Sequence, residues 1–131
     1  MGIMKNIDKA QVLTLKDQVA YQAGQIVSKT LVQNNAVSVT IFSFDKDEEI
    51  SSHSSGGDAF VTCLDGTGRI TIDGQDYILH TGESIVMPAG HPHAVFGQEQ
   101  SRCCWWLCFN GLPQIVAKSA ARTRLPCVRL F

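Results

Sequence analysis

Polar and apolar positions alternate along much of this chain, in short runs broken by turns. Ala36–Phe44 puts Val37, Val39 and Ile41 on one face and Ser38, Thr40, Phe42 and Phe44 on the other. A period of two sustained over that length predicts a strand. Gln25–Val32, rich in β-branched residues, predicts a strand before it, and the charged run from Asp45 to Glu49 predicts a turn after it. Ala59–Leu64 is the next strand, read as ending at Asp65-Gly66. Arg69–Ile72 and Asp76–Leu79 flank Asp73-Gly74-Gln75, and Asp-Gly between two alternating runs is a strong hairpin signal. Ser84–Met87, His93–Phe96 and Arg102–Phe109 complete the set. Ahead of Gly24 the pattern weakens. Val12, Leu13, Leu15 and Val19 suit either a packed strand or one helical turn. Many short strands at regular spacing predict an all-β sandwich or barrel.

With 131 residues the chain has room for one domain around one core. A net charge of −1 argues against a nucleic-acid binder, which needs a basic face. The total hides an asymmetry: residues 110–131 hold no acid and four bases, Lys118, Arg122, Arg124 and Arg129. Within this tail only Ile115–Arg124, between Pro113 and Pro126, could form a helix. The tail reads either as an appended, poorly ordered segment or as one that crosses to a partner subunit. No apolar run is long enough to span a membrane, and no signal peptide or myristoylation pattern opens the chain. Five cysteines (Cys63, Cys103, Cys104, Cys108 and Cys127), an odd number with no CxxC pair, read as reduced thiols in the cytoplasm.

The chemistry concentrates in one stretch. Gly82 to His93 has the form G-x5-P-x-G-x2-H, in which Gly82 turns into a short strand, Pro88 and Gly90 shape a loop, and His93 opens the next strand. It resembles the second motif of the cupin superfamily, although the asparagine that the motif carries further on is Gly97 here. Counting back from Gly66, the first cupin motif, H-x-H-x3-4-E-x6-G, puts its first histidine on His53, its second on Ser55 and its glutamate on Ala59 or Phe60. The resemblance covers about Val37 to Phe109.

It implies a double-stranded β-helix, or jelly-roll, cupin barrel over residues 37–109. An N-terminal, strand-rich extension (residues 1–36) would pack on that barrel, and the basic tail (residues 110–131) would follow. In the family, three histidines and a glutamate hold a divalent metal in the barrel mouth. Here the implied ligands are His53 and His93, with His91 as a possible third and Cys63 and Asp58 as further candidates. Residues 53, 55 and 59 share parity, so they would face inward, and the pocket would be lined by Ser55, Asp58, Ala59, Val61 and Cys63. Two imidazoles suit Zn, Fe, Ni, Mn or Cu but hold a metal weakly. The bland alternative for His93 is a hydrogen bond to Ser55 or to a backbone carbonyl. Two functions stay open: small-molecule binding with an optional metal, or a metal-dependent oxygenase or isomerase. Fold alone names no reaction.

Arg102–Phe109, with Trp105, Trp106 and Leu107, is apolar on both faces, and Phe42 and Phe44 add more apolar surface. One barrel has one interior, so part of this surface must be covered from outside. That predicts a homodimer, with the segment before Gly24 as the alternative cover.

Overall fold

A computed structural model of the chain describes residues 2–109; the tail, with its candidate helix Ile115–Arg124, lies outside them. Eight strands follow one another: β1 (Ile26–Gln33), β2 (Val37–Phe44), β3 (Glu49–His53), β4 (Gly57–Ile72), β5 (Gln75–His80), β6 (Ser84–Met87), β7 (His93–Phe96) and β8 (Ser101–Phe109). Pairing is antiparallel throughout, in the order β1-β2-β8-β4-β7-β3, with β5 and β6 also paired to β4.

Strand β4 is the hinge of the barrel. Its first half lies between β6 and β8, and its second half between β5 and β7. One strand therefore serves both sheets. Asp65-Gly66, expected to end a strand, is instead a bulge within it, where the register against β8 shifts between Cys63 and Asp65. A bulge bends and twists its strand, which is what a barrel corner needs. Gly66 makes the corner possible, because its φ is +77° and a Cβ there would collide with the Gln100 carbonyl. The Asp73-Gly74 hairpin is as expected: both residues have positive φ, 51° and 82°, as a two-residue type I′ turn requires.

The inner and outer faces are cleanly separated. Phe44, Ala59, Val61, Cys63, Ile70, Met87 and Cys103 fill the barrel, with Phe42, Trp105 and Leu107 packed against them. Val37, Val39, Ile41 and Cys104 point outward, beneath Val19, Leu15 and Ile7 of the N-terminal segment. The expectation that Phe42 and Phe44 lie partly outside is thus reversed. They face inward, and the β-branched face of β2 is the one that needs a cover. The N-terminal segment supplies it as extended chain with one 3-10 turn, Leu15–Gln18, and contributes β1 as a further strand on β2.

A polar clamp holds this segment down. Arg102 donates to the carbonyls of Lys16 (2.7 Å) and Val19 (3.2 Å), lies 3.3 Å from the Asp65 carboxylate, and stacks over Tyr21 at 4.4 Å. The Tyr21 hydroxyl donates to Asp65 at 2.8 Å. Burial is the main reason that the Tyr21 phenol is pushed up to about 12. Ser43, fully buried on the outer face of β2, donates to the Ala20 carbonyl at 2.8 Å.

Candidate functional site

The mouth of the barrel is where β3, β7 and the loop between β6 and β7 meet. The loop is tied down from three sides. Asp58 accepts from the Ala89 amide at 2.8 Å, the Gly90 amide donates to the Ser55 carbonyl at 2.9 Å, and the Pro92 carbonyl accepts from the Asp73 amide at 3.0 Å. With Pro88 and Gly90 shaping it, the loop delivers His93 at the first position of β7.

His93 and His53 are direct partners across the β3–β7 ladder. Their ring centroids lie 4.4 Å apart, edge to face. His93 is buried and His53 is exposed. Each ring is oriented by a backbone carbonyl: His53 Nδ1 lies 3.0 Å from the Ser51 oxygen, and His93 Nδ1 lies 3.2 Å from the His91 oxygen. A carbonyl can only accept, so each Nδ1 carries a proton and the neutral ring keeps its lone pair on Nε2. A carbonyl on one ring nitrogen fixes the ring's orientation and leaves the other nitrogen as an acceptor. Burial holds His93 below the ordinary imidazole pKa. The facing His53 pushes in the same direction, and the hydrogen bond to the His91 carbonyl opposes it. The buried ring is therefore neutral near pH 7.

The other residues singled out in the sequence are arranged differently. His91 lies on the exposed rim, with Nδ1 2.7 Å from Asp73 Oδ2. Asp58 holds the loop, as above. Ser55 is half-buried, and its hydroxyl donates to the Gly57 carbonyl at 2.8 Å. Ala59, Val61 and Cys63 do point inward but are packed in the core. Among the described residues, no group of three or more His, Cys, Asp or Glu side chains is gathered as a metal site. Two imidazoles, His53 and His93, are the donors that the mouth brings face to face. The His91–Asp73 pair went unseen in the sequence, because Asp73 is otherwise an ordinary hairpin residue 18 positions away.

A family model described as the cupin domain matches residues 40–109. The chain belongs to the cupin family. The jelly-roll topology of this cupin is shared by solved structures. A conserved protein of unknown function from Streptococcus pyogenes is 43% identical, with a TM-score of 0.82 over 83% of this chain and 96% of its own. A cupin 2 conserved barrel domain protein from Leptotrichia buccalis is 44% identical, with a TM-score of 0.70 over 70% of this chain and 45% of its own. A cupin superfamily protein from Desulfitobacterium hafniense is 26% identical, with a TM-score of 0.77 over 81% of this chain and 97% of its own. No curated protein matches. No helix among the described residues of this cupin is long and apolar enough to cross a membrane.

Proposed function

We propose that this cupin binds a small molecule in its barrel mouth, with the aid of a weakly held divalent metal carried by His53 and His93. The observation that supports this most is the pairing of two imidazoles whose Nδ1 protons are both taken up by carbonyls. A histidine kept only for packing does not require a second, exposed histidine opposite it with the same tautomer. Two protein ligands leave at least half of the coordination positions to solvent or to the bound molecule. The metal, when bound, supplies a Lewis acid that polarises an oxygen of the ligand. The protein's own groups orient that ligand: His93 forms the buried floor, and the rim loop with His91 and Asp73 forms the edge. The His91–Asp73 pair also favours a second, catalytic reading, as an oxygenase or isomerase, because an imidazole oriented by a carboxylate is a candidate proton carrier.

Equilibrium dialysis against Ni²⁺ or Zn²⁺ tests the proposal. The wild-type protein should bind about one ion, with affinity reduced at least about tenfold in His53→Ala and in His93→Ala, since each removes half of the protein ligands. Stoichiometric binding unchanged in both variants would refute it.

A further inference from the structure

Two buried thiols at the end of the barrel away from the histidines are placed for covalent chemistry. Cys63 of β4 and Cys103 of β8 are direct cross-strand partners; both point into the barrel, and both are free thiols. The backbone of Cys63 decides which kind of pair this is. Its amide donates to the Glu83 carbonyl at 2.9 Å, and its own carbonyl accepts from the Gly82 amide at 2.8 Å. In an antiparallel strand, both backbone groups of a residue point to the same side. Those of Cys63 point away from β8, so Cys63 and Cys103 form a non-hydrogen-bonded pair. Such partners have Cα atoms about 4.5 Å apart with their side chains close together. A disulfide accepts Cα separations of about 4.4–6.8 Å.

The side chains are arranged to match. The Cys63 thiol is directed at the carbonyls of Asp65 and Gly66, 3.5 Å from each, in the bulge where β4 turns into the second sheet. Trp105 Nε1 donates to Cys103 Sγ at 2.9 Å, which holds that sulfur in the barrel. Rotation of Cys63 about its Cα–Cβ bond exchanges its weak S–H contacts for Cys103. Cys104, although adjacent in sequence, belongs to the outer cluster and faces the other way.

We infer that Cys63 and Cys103 form an oxidisable dithiol that closes to a reversible disulfide and staples β4 to β8 at the barrel corner. With a low-molecular-weight disulfide RSSR as oxidant, the Cys63 thiolate attacks one sulfur and releases one RS⁻, leaving a mixed disulfide. The Cys103 thiolate then attacks the Cys63 sulfur and releases the second RS⁻. The two protons lost by the cysteines balance the two RSH formed, and two electrons pass from the protein to RSSR. Burial raises the pKa of both thiols, most strongly that of Cys103. The exchange is therefore slow and registers sustained oxidation, not brief oxidation.

The experiment is incubation of the folded full-length protein with glutathione disulfide, then alkylation under denaturing conditions and peptide mapping. The expected result is a Cys63–Cys103 cross-linked peptide, an intact mass lower by two hydrogens, a higher melting temperature, and reversal of all three by dithiothreitol. Cys104→Ser should behave as wild type, and Cys63→Ser should lose the cross-link. The wild-type map alone is decisive if a variant fails to fold. Cross-links confined to Cys104, Cys108 or Cys127, or Cys63 and Cys103 both still alkylated at the end of the incubation, would overturn the inference.

Discussion

His53 and His93 face each other edge to face at 4.4 Å, one exposed and one buried, each with its Nδ1 proton on a backbone carbonyl. The buried partner makes stability depend on pH. In the folded protein burial holds the pKa of His93 below the ordinary imidazole value of 6.5, the value expected when the chain is unfolded. Below that value the unfolded chain takes up a proton that the folded chain refuses. Stability is therefore full above about pH 6.5 and falls as pH drops through the folded pKa. Melting temperature measured from pH 7.5 to pH 5 should decline, and His93→Gln should flatten the decline. An identical slope in the variant would assign the acid sensitivity to other groups.

Arg102 ties the N-terminal segment to the barrel through Lys16, Val19, Asp65 and Tyr21. Replacing it with Met leaves two carbonyls and a half-buried carboxylate without their cation, at a cost of about 2–4 kcal/mol. Urea denaturation should show that loss, and limited proteolysis should cut the segment before Gly24 faster than in the wild type. Unchanged proteolysis would mean that the apolar contacts of Leu15 and Val19 suffice as the cover.

Two glycines with positive φ separate conformational strain from collision. Gly74, at φ +82°, has open space around it, whereas at Gly66, φ +77°, a Cβ meets the Gln100 carbonyl. Gly74→Ala should cost about 1 kcal/mol or slightly more, the conformational term alone. Gly66→Ala should cost about 3 kcal/mol or more, because backbone must move as well. Similar denaturation midpoints for the two variants would contradict the reading of Gly66 as the corner of β4.

The N-terminal segment leaves part of the outer face uncovered. Phe60 and Val86, partners across β4 and β6, are 48% and 49% exposed, and Trp106 is the partner of Phe60 on β8. An apolar band of this kind suits an isologous contact. Light scattering at micromolar concentration should give the mass of two chains for the wild type and of one for Phe60→Ser combined with Val86→Ser. A wild-type mass of one chain at all concentrations would rule out the dimer.

The elements with local signatures were legible in the sequence. Gly82, Pro88 and Gly90 marked the turn and the loop that deliver His93, and Asp73-Gly74 marked its hairpin, because these conformations are set by the residues themselves. Strand β3 has no signature in the sequence: Glu49–His53 is polar and mostly exposed, so it offers no alternation to read. Asp65-Gly66 looks like a strand end in the sequence, because a turn and a bulge use the same residue types and only the partner strand tells them apart. Alternation showed that β2 has two faces but not which one is inside. With the N-terminal segment packed over it, the outer face is as apolar as the inner one. The facing of His53 and His93 followed from motif spacing. The Tyr21–Asp65–Arg102 clamp, spanning 44 residues between Tyr21 and Asp65 alone, left no local trace.

The most direct measurement is a crystal of the wild-type protein soaked in a zinc salt, with data collected across the zinc absorption edge. One anomalous peak is expected in the barrel mouth, about 2.0–2.1 Å from Nε2 of both His53 and His93, with its remaining ligands from solvent or a bound small molecule. Zinc found only on the exposed His91–Asp73 pair, or on exposed His80 and Glu83, whose Nδ1 and Oε1 lie 3.1 Å apart, with the facing imidazoles left bare, would contradict the shared His53–His93 site.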